Sequence, residues 1–120
     1  MTTNWASIVK RIQQEALLQH TDISEFVSFC ARDVAHLDTE TPKSDLGRRA
    51  ADSASDANTY ALHAKTYELM SETTCALIQC VNAAANAWGY AAAATFSDFQ
   101  QARDNALDHY TRQLAKWLTH

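Results

Sequence analysis

The side chains best able to do chemistry near neutral pH are three cysteines, Cys30, Cys75 and Cys80, and five histidines, His20, His36, His63, His109 and His120. A nucleophilic cysteine needs a histidine or a basic neighbour that holds it as the thiolate, and no local signature ties any of these histidines to a cysteine. Cys75 and Cys80 lie five positions apart, which on a helix separates them by about 140° and denies them a joint grip on a metal. Cys30 falls on an apolar stripe, where a thiol acts as a small hydrophobe. Asp33 and His36 have the i, i+3 spacing that di-metal helix bundles use. A second acidic-x-x-His pair is missing, however, and the glutamates at 15, 25, 40, 68 and 72 do not fall on inward stripes. The expectation is therefore no catalytic residue, no metal and no cofactor. An odd number of cysteines without CxxC spacing reads as reduced thiols, and the first twenty residues lack the basic leader and apolar run of a signal peptide, so a cytoplasmic protein is expected.

Charge narrows the partners. The chain of 120 residues carries 10 basic and 14 acidic side chains, a net −4, and residues 38–72 hold 4 basic and 7 acidic of them. No segment forms the Lys/Arg stripe that neutralises phosphates, which argues against nucleic acid. Arg48 and Arg49 have Asp52 and Asp45 at i+4 and i−4 and read as surface ion pairs. The stretch from Thr73 to Ser97 is uncharged but carries Gln79, Asn82 and Asn86 among few strong aliphatics, so it reads as a buried helix and not as a membrane span.

Two groups of residues point to contact surfaces. Tyr60, His63 and Tyr67 stand at i, i+3 and i+7, beside acidic residues at Asp45, Asp52 and Asp56; aromatic anchors next to a steering charge suit a basic protein partner. Gln79, Asn82 and Asn86 repeat the same spacing, and in a central helix they would bury amides that must find partners inside the bundle or across an interface, including that of a homodimer.

The elements that must position these groups are helices. Two glycines, one proline and 22 alanines exclude a turn-rich β protein. Every apolar run has a period near 3.6. A first helix, capped at Thr3 or Asn4, carries Trp5, Ile8, Val9, Ile12 and Ala16. A second, capped at Asp22 with Glu25 closing the box, buries Ile23, Phe26, Val27, Cys30, Val34 and Leu37. After a loop at residues 38–44, with Thr41 or Ser44 as the next cap, a third helix presents Gly47, Ala54 and Ala61 and also Ala50, Ala57 and Ala64, two sevenfold series that build a seam from the smallest side chains. A break is expected between Met70 and Thr74. A fourth helix over 75–95 turns Leu77, Ile78, Val81, Ala84, Ala85, Trp88 and Ala92 inward, and a fifth, opened by a Ser97/Gln100 box, carries Phe99, Ala102, Ala106, Tyr110, Leu114 and Trp117. The expected architecture is all-α: one domain over residues 1–120, a compact bundle of four to five mostly antiparallel helices with an alanine-rich seam.

A small acidic helical domain with neither a nucleotide loop nor a nucleophile constellation is expected to act by presenting a helix face to another protein. The segment CARDVAHL, Cys30 to Leu37, set among alanine-rich helices, resembles in composition the small helical immunity proteins of bacterial toxin systems. The resemblance implies an inhibitor of the toxin-immunity, antitoxin or phage-defence type whose acidic residues mask a basic partner. The competing expectations are a structural subunit of a larger assembly, a ribonucleoprotein among them, and a ligand- or metal-binding bundle enzyme using His, Tyr and Cys.

Overall fold

The computed structural model describes residues 5–37 and 45–118. It contains α1 (Trp5–Glu15), α2 (His20–Val34), α3 (Asp45–Thr66), α4 (Met70–Ala94) and α5 (Phe99–Leu118). Helix accounts for 88% of the described residues, and they include no strand. The all-α bundle expected from the periodicity is what the chain forms. The loop at 38–44 and the caps at Thr3, Asn4, Thr41 and Ser44 lie outside the described residues.

Helix α4 is the centre of the bundle: it packs against α1, α2, α3 and α5, and most extensively against α3. Helices α3 and α4, of 22 and 25 residues, are joined by residues 67–69 alone. With so short a connection they can lie along one another only as an antiparallel hairpin. The seam explains how close they come. Gly47, Ala50, Ala54, Ala57, Ala61 and Ala64 are all buried, so α3 offers its neighbours a face of methyl groups and backbone. The Cys80 thiol of α4 fills the space this leaves, donating to the carbonyls of Ala57 on α3 at 3.3 Å and of Val27 on α2 at 3.4 Å. Three helices therefore meet at one sulfur.

The larger side chains of the core come from α2, from Ile12 of α1, from the N-terminal half of α4 and from the C-terminal half of α5. Phe26, Ile23, Val27 and Val34 are fully buried with Leu77, Val81, Tyr110 and Leu114. The buried threonines back-bond locally, Thr73 donating to the Leu69 carbonyl at 3.1 Å, Thr74 to Met70 at 2.9 Å and Thr111 to Leu107 at 2.7 Å, whereas buried Ser24 of α2 donates across to the Ala64 carbonyl of α3 at 3.0 Å. Such back-bonding satisfies a polar group at no cost in core partners.

Helix boundaries depart from the sequence expectations by a few residues. Helix α2 starts at His20, with Gln19 as its N-cap residue. Asp22 is thus not the cap but the third helical residue, and its carboxylate accepts from the Gln19 N–H at 3.4 Å. Helix α5 is capped by Asp98, whose Oδ1 accepts from the Gln101 N–H at 3.1 Å, and not by Ser97. The break between the third and fourth helices falls at 67–69, and the SET sequence after Met70 belongs to the first turn of α4. Helix α1 ends before Ala16, whose φ of 49° turns the chain into the left-handed region while its N–H still bonds the Ile12 carbonyl at 3.0 Å. Ala16 is therefore exposed and does not extend the inward stripe.

Candidate functional site

Helix geometry assembles the acidic and aromatic candidates. At 100° per residue, Asp45, Asp52, Asp56, Tyr60 and His63 of α3 fall with Tyr67, which follows the last residue of α3 and still bonds the His63 carbonyl, within an arc of about 80° centred well over 90° from the alanine seam. The three aspartates and His63 are exposed, whereas Tyr60 and Tyr67 are half-buried. Both tyrosines rest against the core with one edge, and they line a hollow of about 210 Å³ with Glu72, Cys75, Ala76 and Gln79 of α4. The His63 ring lies 6.1 Å from that of Tyr67. Tyr60 and Tyr67 are thus neither free-standing nor fully inside: each gives one face to the α3–α4 junction and leaves the rest to solvent.

Gln79 and Asn82 are exposed and Asn86 is half-buried. The buried amide network expected of a central helix is not formed by Gln79 and Asn82. Helix α4 touches four neighbours yet keeps one strip open, on which Glu72, Cys75, Gln79 and Asn82 follow one another at spacings of three and four. This strip borders the tyrosine hollow, so two sets of residues read separately from the sequence form one continuous surface.

The arginines behave differently from expectation. Among the described residues the ion pairs are Arg103–Asp104 at 3.2 Å and Arg112–Asp108 at 3.0 Å, and neither Arg48 nor Arg49 takes part. Arg49 shares the arc of the aspartates, but its guanidinium carbon lies 6.0 Å from the centre of the Tyr90 ring on α4, a cation–π distance. The arginine therefore leans onto the α3–α4 junction, and neither Asp45 nor Asp52 forms a salt bridge among the described residues.

Spacing along the sequence could not reveal the bundle's main polar cluster. The Tyr110 hydroxyl, fully buried on α5, donates to Asp33 Oδ2 of α2 at 3.0 Å and accepts from the Trp88 indole N–H of α4 at 2.9 Å. Burial first, and then the Asp33 charge, raise the Tyr110 pKa well above the usual phenol range; the phenol stays a donor. The His36 ring meets Trp88 edge-on at 5.4 Å. Asp33 and His36, the pair with metal-ligand spacing, are thus engaged with aromatic neighbours, and no group of three or more potential metal ligands gathers among the described residues. The only advance signal was that Trp88 and Tyr110 both sit on inward stripes and carry polar tips that a core must satisfy.

Neither buried thiol is poised for nucleophilic chemistry. Burial, then the nearby Cys80 and Asp33, raise the Cys30 pKa well above the ordinary thiol value. Burial alone pushes Cys80 to about 12. Cys75 is exposed at the rim of the tyrosine hollow. No helix among the described residues is long and apolar enough to cross a membrane.

The described residues define the class of protein as an all-α bundle, with five helices among them. Comparison with protein-family models, with curated proteins and with solved structures returns no match for the chain.

Proposed function

We propose that the protein is a non-enzymatic binding module that docks a basic protein partner on the face shared by α3 and α4, as a small acidic inhibitor of the immunity, antitoxin or phage-defence type would. The observation that carries this reading is the hollow between Tyr60, Tyr67, Cys75 and Gln79, flanked along the α3 arc by exposed Asp52 and Asp56. A pocket of this size receives one large side chain, aromatic walls bury area at low entropic cost, and unpaired carboxylates beside it steer a cationic surface inward. A second copy of the chain would bring the same aspartates face to face, so charge favours a basic partner over a homodimer at this face.

Affinity capture with mass identification, followed by titration of the purified partner, tests the reading. Tyr60→Ala with Tyr67→Ala should weaken binding by about 2 kcal/mol, roughly thirtyfold. Asp52→Asn with Asp56→Asn should slow association and flatten its salt dependence. A tyrosine double variant that melts like the wild type and binds its partner with unchanged affinity overturns the assignment of this face.

A further inference from the structure

A larger concavity lies on another side of α3, with Lys65 about 160° around that helix from both Tyr67 and His63. Its volume is about 720 Å³, and it is bounded by α2, by the C-terminal end of α3 and by the end of α5. This is the size range of small-molecule sites. One i+4 row of α2 supplies His20, Ser28 and Arg32, and the adjacent row supplies Phe29; Lys65 of α3 and Trp117 of α5 complete the walls.

Two independent features of this cavity call for a ligand. His20 Nε2 and Ser28 Oγ are buried and lack a hydrogen-bond partner, although native structures rarely leave such groups unsatisfied. Arg32 and Lys65 form no ion pair among the described residues, and Glu25 is the one carboxylate on the lining, so the cavity carries an excess of positive charge. The aromatic side is built firmly: Trp117 meets the buried Phe26 edge-on at 5.8 Å, and Phe29 lies 6.0 Å from the same ring.

We propose that this cavity binds a small organic anion, with an aromatic body between Phe29 and Trp117 and its anionic head turned toward Arg32, Lys65, Ser28 and His20. The site is independent of the α3–α4 face, and none of its residues belongs to that surface.

Phenyl phosphate is the probe, titrated into the full chain by calorimetry and by the fluorescence of Trp117, whose share of the signal is identified with Trp117→Phe. Saturable binding is expected below about 10 mM. Benzyl alcohol, a ring without charge, and inorganic phosphate, a charge without a ring, should each bind at least about tenfold more weakly. Arg32→Gln with Lys65→Gln should weaken phenyl phosphate at least about tenfold, and Glu25→Gln, which removes the opposing carboxylate, should tighten it. Both sets of positions are solvent-facing, and the Glu25 variant decides the matter alone if the double variant does not fold. The proposal is overturned by absence of saturable binding, by inorganic phosphate binding as tightly as the phenyl ester, or by an affinity that does not respond to Glu25→Gln.

Discussion

Gly89 of α4 and Phe99 of α5 fit together through a missing methyl group: a Cβ at position 89 would stand 2.7 Å from Phe99 Cε2 and 2.9 Å from Cδ2. Phe99 is the first residue of its helix and its ring meets that of Tyr90 at a 54° tilt with centres 4.8 Å apart, so the start of α5 is seated on α4 at this point. Glycine inside a helix costs about 1 kcal/mol relative to alanine; here the contact offsets that cost. Gly89→Ala should therefore destabilise the protein, whereas in a Phe99→Ala background the same substitution should stabilise it by about 1 kcal/mol. Thermal melts giving one sign in both backgrounds would show that the ring simply swings away.

The same contrast explains what was legible in the sequence. The seam from Gly47 to Ala64 was readable because periodicity in one helix reports directly which face is inward, and all six of its residues are buried. The caps were displaced by up to three residues because neighbouring polar residues offer equivalent local chemistry and tertiary packing decides between them: Gln19 with Asp22 opens α2, and Asp98 opens α5. Gln79 and Asn82 were misplaced because an uncharged helix reads as buried all round, while α4 leaves one strip uncovered. The bond from Tyr110 to Asp33 spans 77 positions, and the cavity at His20 draws on three helices. Neither leaves a trace in local spacing, since both depend on how the helices are arranged.

Close packing at the seam makes a definite prediction. Ala57 is fully buried and its carbonyl receives the Cys80 thiol, so a larger side chain has no space there. Ala57→Leu should cost about 1 to 3 kcal/mol through overpacking. Asn58→Leu, one residue on and exposed, should stay within about 0.5 kcal/mol of the wild type. Equal melting midpoints for the two variants would place the α3 seam away from its neighbours.

Alkaline pH should weaken the fold through Cys80. Below its ordinary pKa of 9.0 the thiol is protonated in both folded and unfolded chains and adds no pH dependence. Above that value the unfolded chain ionises first, while burial holds the folded thiol protonated to about 12. Stability should then fall by about 1.4 kcal/mol for each pH unit between these limits. Cys30, raised by burial in the same direction, adds to the slope. Denaturant unfolding at a series of pH values should show the decline in the wild type and a shallower one in Cys80→Ser, which retains a hydroxyl donor without the titration. Identical slopes would remove the thiol as the cause.

The Trp88–Tyr110–Asp33 chain should behave as one unit. The Tyr110 hydroxyl is both donor and acceptor, so Tyr110→Phe strips the Trp88 N–H of its acceptor and Asp33 of its donor while leaving the buried ring in place. Asp33 and Trp88 are both half-buried, so water can replace part of what each loses. A cost of about 1 to 3 kcal/mol is expected, with an unchanged denaturant slope because the packing remains. Asp33→Ala should also destabilise the wild type. Once the hydroxyl is gone, however, removing Asp33 deletes no further bond, so in the Tyr110→Phe background its effect should shrink by at least about 0.5 kcal/mol. Additive losses in the double-mutant cycle would mean that the two residues contribute separately and that the short distance between them carries no energy.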